Sequence, residues 1–541
     1  MSNSATADEH ACAGPALVAK ELLIGMKAFA TAAVALPTLL LGASITASYQ
    51  TRVGQSATAQ PVVWTAPVPK ATCGRMDRIE TGLQGQTTPD ERSSGKSEGG
   101  YNCNLELVGQ FQGEGAFSQD GPAFLDNCAY YATENRAGQK HPGVVVLDVS
   151  DPRHPQPTAY LDDTPAGRNP HETLKVNEAR KLLAVAENNG PNFAVYDLSA
   201  DCRHPVLESS ITVPGSQAHM GGWAPDGKTY YIGQNNRGIG GTLPVVDVTN
   251  PSNVKLLLTW KFTGNGRPHD VNLNASGTRL YAGQPGTFGN TGSSAGPDGL
   301  VILDVSDIQL RKAGPQIRIV STLSWDDQGQ VEQMFPFTRN GRQYVVSTDE
   351  SGGAGGAGGL KAACDRGASP YGYPQIIDVT DETKLTLVSK LRLEVNDPAR
   401  CRALLTDPPD TGGGNPVYNA ERCNADRANN PNMLACGFQN GGLRVFDIRD
   451  LSHPREVAYF KPPAVRKAVL PGSGSWTQAV DRTYDKISGF ARFKKVPANG
   501  TRGGMQIWFV SDGNGFQVVR FSDAFTAAHK DLFAAAAERA R

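Results

Sequence analysis

The chain of 541 residues reads as an all-β protein: a single β-propeller of seven four-stranded blades, closed by an N-terminal strand and followed by a C-terminal helix. Three observations predict this. An apolar run ending in Asp and a turn recurs six times, as GVVVLDVSDPRHP, NFAVYDLSADCRHP, LPVVDVTNPSN, LVILDVSDIQ, PQIIDVTDE and LRVFDIRDLSHP, and a diverged copy, FQVVRFSD, makes a seventh. The shared Asp falls at Asp148, Asp197, Asp247, Asp304, Asp378 and Asp447, with Arg520 in its place in the last copy, so each unit has room for four short strands and a variable loop. Finally, 60 Gly and 36 Pro with only 19% charged residues suit short strands and tight turns rather than long helices.

Within each unit the strands follow in order. HETLKVNEARKLLAVAE, HMGGWAPDGKTYYIG and HDVNLNASGTRLYAG each read as strand, turn, strand, with Asp-Gly or Ser-Gly at the turn in two of them. The apolar run is the third strand, and PTAYL, LESSI, KLLLTW, LVSKL or EVAYF the fourth. NLELVGQF at 104–111 has no unit of its own, and the last unit ends after its third strand, FQVVRF. Joining the two closes the ring and removes the edge strands an open array exposes. The repeated Asp is expected to cap the turn that follows it. Propeller boundaries are thus 104–521, and 522–541 reads as a capped amphipathic helix.

Residues 1–59 read as an N-terminal extension and an export signal or anchor. Ala28–Gln50 is uncharged, follows Lys27 and ends in small and polar residues. Pro37 and the Ala/Thr/Ser content favour cleavage, near Ser48 or at Ala59, over retention as an anchor. Residues 60–103, rich in Pro, Thr, Gly and Ser, read as a linker. Beyond the apolar stretch lie Cys73, Cys103, Cys128, Cys202, Cys364, Cys401, Cys423 and Cys436, an even set that fits disulfides in an oxidising compartment. Spacing leaves their pairing open, although Cys423 and Cys436 flank one turn. The absence of CxxC argues against zinc ribbons and thioredoxin-like chemistry. The expected location is secreted, cell-surface or periplasmic. A formal net charge of −1 gives no field for nucleic acid, and leaves an uncleaved anchor as the only expected membrane contact.

In the third-strand motif, as VVVLDVSDP, LVILDVSD and LRVFDIRD, the chain resembles the secreted LVIVD-repeat β-propeller proteins. The resemblance spans roughly 104–520 and implies an extracytoplasmic or surface-associated propeller, with little to say about activity.

Histidines recur at the opening of consecutive inner strands: His171 in NPHETL, His219 in QAHMGGW and His269 in RPHDVN, with Gln333 and Glu421 at the corresponding place in later units. Second strands, antiparallel to these, end at the same channel mouth and bring Glu134, Glu187, Gln234, Gln284, Asp349 and Glu350 there. Imidazoles beside carboxylates suit a divalent transition metal such as Fe, Zn or Cu, with His171, His219 and His269 as candidate ligands. Glu134, Glu187, Gln234, Gln333, Asp349 and Glu350 are candidate ligand-binding residues. A plainer alternative is a framework position bonded to channel water and backbone. Insertions at 283–299, 351–373, 394–418 and 462–485 emerge at this same mouth. SGGAGGAGGL lacks the Lys-Ser/Thr of a phosphate loop, and no G-x-S-x-G or H-E-x-x-H occurs. The expected function is a binding or interaction scaffold whose loop-rich mouth takes a small molecule, glycan or protein. The alternative is a metal-dependent oxidase, lyase or hydrolase at the histidine ring.

Overall fold

The computed structural model describes residues 63, 65–112, 118–133, 141–170, 172–234, 241–262, 268–284, 298–327, 329–355, 359–409, 417–466, 483–487, 489–496 and 504–534. All lie in the compact unit Pro61–Arg541; the unit Met1–Gln60, with the expected export signal, falls outside the described residues. Among the described residues no helix is long and apolar enough to cross a membrane.

Seven antiparallel sheets form a ring of blades, over 118–161, 175–212, 218–261, 271–325, 331–390, 422–461 and 492–521; the strands of the first six run in sequence order from the axis outwards, while the seventh takes its outer strand from the N-terminal side. The third strands carry continuous apolar runs because both of their faces are covered by neighbouring blades. Val144, Val146 and Tyr130 of blade 1 pack with Leu183, Val185 and Ala194 of blade 2, and Val145 and Leu147 pack with Trp508, Val510 and Val518 of blade 7. Burying each Val or Leu of this kind contributes about 1.5–3 kcal/mol before chain entropy is charged against it. Outer strands such as Val206–Thr212 are half exposed, as their alternating sequence requires.

The Asp ending each third strand caps its turn. Backbone N–H groups of Ser150, Ser199, Thr249, Ser306, Thr380 and Arg449 donate to the carboxylates of Asp148, Asp197, Asp247, Asp304, Asp378 and Asp447 at 2.8–3.1 Å. Arg520 breaks this pattern for a visible reason. Leu105–Phe111 is the outer strand of blade 7, paired from Leu105↔Phe521 to Phe111↔Phe516, and Arg520 binds Glu106 of that strand at 2.7 Å and Asp523 at 2.5 Å. The ring therefore closes with a strand from the N-terminal side, as expected.

Residues 65–103, whose composition suggests a linker, instead fold onto blade 6. Tyr101–Cys103 is a fifth strand there, next to Arg455–Lys461, and Cys73 is bridged to Cys103. Buried polar contacts hold the segment where composition promised none. The Arg444 guanidinium sits between Glu80 (2.7 and 3.0 Å) and Glu456 (3.0 Å), Gln84 donates to Glu456 (2.9 Å), and Lys461 donates to the carbonyls of Gly85 and Gln86. Asn104, with φ of 60°, turns the chain from blade 6 to blade 7 and donates to the carbonyls of Thr72 and Val457.

The remaining disulfides are Cys128–Cys202 between blades 1 and 2, Cys364–Cys401 between two insertions, and Cys423–Cys436 across directly paired residues of blade 6. At the C-terminal end, Ser522 caps a helix over Asp523–Ala528, accepting from the N–H of Phe525. The helix breaks at His529 before a second turn at Lys530–Phe533, so the single helix expected over 522–541 is two short ones within the described residues.

Candidate functional site

The inner strands aim their opening residues into the axial channel, and five blades meet there. Blade 2 supplies Glu172 from a turn fixed by Thr173, whose hydroxyl lies 2.6 Å from the carbonyl oxygens of both Pro170 and Ala186 and donates its one hydrogen between them. Gly121 of blade 1, at φ of +62°, lets that turn approach: a Cβ there would meet the Glu172 backbone at 3.0 Å. Blade 3 supplies His219 and blade 4 His269, with ring centroids 4.3 Å apart in an edge-to-face pair. Blade 5 supplies Glu332, and blade 6 supplies Glu421 and Arg422. The pairing register is irregular between Ala218 and Gly221 and between Val331 and Met334, at the inner-strand ends that carry His219 and Glu332. Such irregularities commonly re-aim side chains at functional positions.

All of these groups are buried. His219 Nε2 lies 3.1 Å from Glu172 Oε2, and its Nδ1 lies 3.1 Å from Asn188 Oδ1. His269 Nδ1 lies 3.3 Å from Glu332 Oε2. Arg422, fully buried, is ion-paired with both Glu172 and Glu332, and its other terminal nitrogen lies 3.9 Å from Glu421. Glu421 also faces Lys486 at 3.4 Å and accepts from Gln439. One ligand atom each from Glu172, His219 and His269 fall within 4.8 Å of one another, and the same holds for His269, Glu332 and Glu350. His269 is common to both sets.

The electrostatics of this cluster are lopsided. Burial, reinforced by Glu172, holds the Glu332 carboxyl well above the ordinary carboxylate range against the pull of Arg422. Burial, with Glu421 and Glu172 adding to it, raises Glu350 to about 8. Burial raises Asp270 too. Among the described residues, Glu172, Asp270, Glu332, Glu350 and Glu421 are faced by Arg422, Lys175 and Lys486, so acidic groups outnumber the fixed cations. A cavity of this kind is completed either by protons or by a further cation.

The insertions cover this end as a tied pair. Cys364–Cys401 joins the 351–373 loop to the 394–418 loop, and the Asn396 amide donates to the carbonyls of Gly372 (2.9 Å) and Tyr418 (3.1 Å). Gly372 passes so close to blade 5 that a Cβ would lie 1.7 Å from the Asp349 carbonyl oxygen. Its N–H donates to Asn419, Asn419 donates to Gln439, and Gln439 reaches Glu421, so a hydrogen-bonded chain runs from the loops into the cluster.

A family model described as the LVIVD repeat matches residues 227–261 and 435–461. These stretches hold the second, third and outer strands of blades 3 and 6, in a ring where six of the seven third strands end in the same Asp-capped turn. The chain is an LVIVD-repeat β-propeller.

No curated protein matches the LVIVD-repeat propeller in sequence. Solved structures similar to it include Kuenenia stuttgartiensis hydrazine synthase, at 13% identity and TM-score 0.46 over 77% of this chain and 96% of that one. The β-propeller domain of Cps50 (Swd1) from Myceliophteria thermophila matches at 12% identity and TM-score 0.45, over 77% and 100% of the two chains. A protein from Lactobacillus plantarum matches at 11% and 0.41, over 63% and 87%. The fold of the LVIVD-repeat propeller rests on its own strand order.

Of the residues singled out from sequence, His219, His269 and Glu350 lie in the channel cluster. His171 and Glu134 fall outside the described residues, as do the side chain of Gln284, most of the 283–299 insertion and 467–482. Gln333 is turned to the neighbouring blade, where it accepts from the Cys423 N–H at 2.8 Å. Gln234 accepts from the Gln217 N–H and donates to Ser216. Asp349 accepts from the N–H groups of Gly329, Gln330, Ser351 and Gly352, and burial nonetheless raises it to about 7. Glu187 accepts from Asn192. Sequence reasoning missed Glu172, Glu332, Lys175 and Arg422. The available signal was the charged neighbour at each strand opening, in the pairs His-Glu, His-Asp, Glu-Gln and Glu-Arg at 171–172, 269–270, 332–333 and 421–422.

Proposed function

We propose that this LVIVD-repeat propeller is an exported binding protein whose loop-covered channel mouth holds a divalent transition-metal ion, with Glu172, His219 and His269 as its core ligands. The observation that carries this reading is the convergence of one ligand atom from each of these residues within 4.8 Å, beside Glu332 and Glu350. An ion at about 2 Å from each ligand needs only small side-chain rotations from there. His219 supports it further: with Nε2 turned to the cluster, its Nδ1 faces the Asn188 amide oxygen, the orienting partner that metal-bound imidazoles usually have. The acidic excess is what a divalent cation balances. His171, next to Glu172 in the chain, is a candidate additional ligand. Export is supported by the four disulfides, which fit an oxidising compartment. An ion with an open position can activate water or polarise a carbonyl, so metal-dependent catalysis is the second reading.

The test is metal content of the purified protein by plasma mass spectrometry, followed by titration of EDTA-stripped protein with Zn²⁺ and Mn²⁺. Stoichiometric uptake is expected, at least tenfold weaker after His219→Ala or His269→Ala. Stable folded protein that takes up neither ion sinks the reading.

A further inference from the structure

Further along the inner strands than Arg422 lies a chamber of about 200 Å³, whose walls include Phe124, Lys175, Glu178, Asn424, Phe490 and Arg492. Its chemistry is opposite to that of the histidine cluster. The Lys175 ammonium lies 4.2 Å from the centroid of the Phe490 ring, and among the described residues it has no hydrogen bond and no carboxylate within ion-pairing distance. The Arg492 guanidinium lies 5.5 Å from the centroid of Phe124. One terminal nitrogen of Arg492 is 3.6 Å from the well-exposed Glu178, while Nη1 is buried without a hydrogen-bond partner. A guanidinium nitrogen buried without a hydrogen-bond partner, beside a lysine ammonium whose nearest acids, Asp270, Glu172 and Glu332, lie beyond ion-pairing distance, is costly unless an anion joins it. Burial lowers the Lys175 pKa in the same sense.

We propose that this chamber is a binding site for a small aromatic carboxylate. The planar guanidinium of Arg492 matches a carboxylate in fork geometry, and Lys175 supplies a second positive charge. Phe124 and Phe490 add apolar surface to the lining, and the volume suits a single ring, since an apolar cavity of about 150 Å³ holds benzene. The site uses none of the proposed metal ligands, so it stands or falls separately from the metal reading.

The test is calorimetric titration of the full chain with benzoate, in EDTA and again after metal loading, with benzamide as the neutral isostere and inorganic phosphate as the competitor. Saturable benzoate binding in EDTA is expected, weakened at least tenfold by Arg492→Met and by Lys175→Met, with benzamide weaker by a similar factor. Thermal unfolding of each variant verifies that it is folded; benzoate should raise the melting temperature of the parent chain and not of Arg492→Met. The proposal is overturned if benzoate fails to bind, if benzamide binds equally, if phosphate displaces benzoate at equal concentration, or if binding appears only with metal present.

Discussion

Arg422 is the side chain on which the balance of the channel cluster depends, and Arg422→Met isolates its role. Methionine is unbranched and fills most of the same space beside Phe490, so the substitution removes charge with little change in packing. What remains is a pair of buried carboxylates, Glu172 and Glu332, that have lost their shared guanidinium. Removing one partner from a buried ion pair costs about 3–5 kcal/mol, because the penalty is that of the charge left behind. Against a total stability on the order of 5–15 kcal/mol, that loss is large. It is measured by urea unfolding, with the fluorescence of the chain's tryptophans, among them the buried Trp508, as reporter. In EDTA the variant is expected to lose about 3–5 kcal/mol relative to the parent chain. Excess Zn²⁺ at about a hundred times its dissociation constant returns about 2.7 kcal/mol, since an ion bound only to the folded state stabilises by mass action. A loss below about 1 kcal/mol in EDTA would refute the reasoning: it would mean that both acids are held neutral and need no counter-charge.

Disulfide removal should follow loop length. Cys128–Cys202 closes 74 residues and Cys423–Cys436 closes 13, which the chain-entropy relation converts to about 4.5 and about 3 kcal/mol. Paired Cys→Ser variants, unfolded thermally without reductant, should therefore rank with Cys128/Cys202 the less stable; the reverse order would count against the entropic account. Asp447 gives a pH test away from the channel. Burial opposes its ionisation, yet hydrogen bonds from Arg449, with help from Arg455, hold its pKa below the ordinary value. A depressed carboxyl stabilises above its unfolded pKa of about 3.9 and loses that contribution as pH falls through the folded value. Asp447→Asn is thus expected to cost about 1–2 kcal/mol at pH 7, after discounting the half-exposed Arg455, with the gap to the parent chain closing as pH falls below the unfolded pKa and through the lower folded one. A gap that stays constant with pH would remove the charge from the explanation.

Blade number, ring closure and turn caps were all legible because each follows from local chemistry repeated many times. An apolar run such as 144–147 must be covered on both faces, and an Asp followed by Ser or Thr has a backbone N–H within reach. The segment 65–103 was not legible, since its Gly, Ser and Pro content resembles a tether, and what fixes it is a handful of long-range polar contacts centred on Arg444. The site was half legible. The recurring histidines pointed to strand ends at which His219 and His269 meet, but alternation along a strand makes adjacent residues point apart. Counting from the turns reached Gln333, which serves the blade interface, and missed Glu332 beside it, which pairs with Arg422 and His269. An irregular register cannot be counted across from sequence.

The closing strand has a consequence in time as well as in space. Glu106 and Arg520, which meet across the seam, are 414 residues apart. At synthesis rates of roughly 5–20 residues per second, the first half of the seam is made on the order of 20–80 s before its partner exists. Throughout that interval 105–111 is a strand without a sheet, open to pairing with any neighbouring chain. Its fastening to blade 6 through Cys73, Asn104 and Tyr101–Cys103 does not shorten the wait, because blade 6 is itself among the last parts made. The ring is thus closed last, when the C-terminal strands reach the strand made first, and protection of an early, unpartnered strand becomes a requirement placed on whatever handles the chain before it is complete.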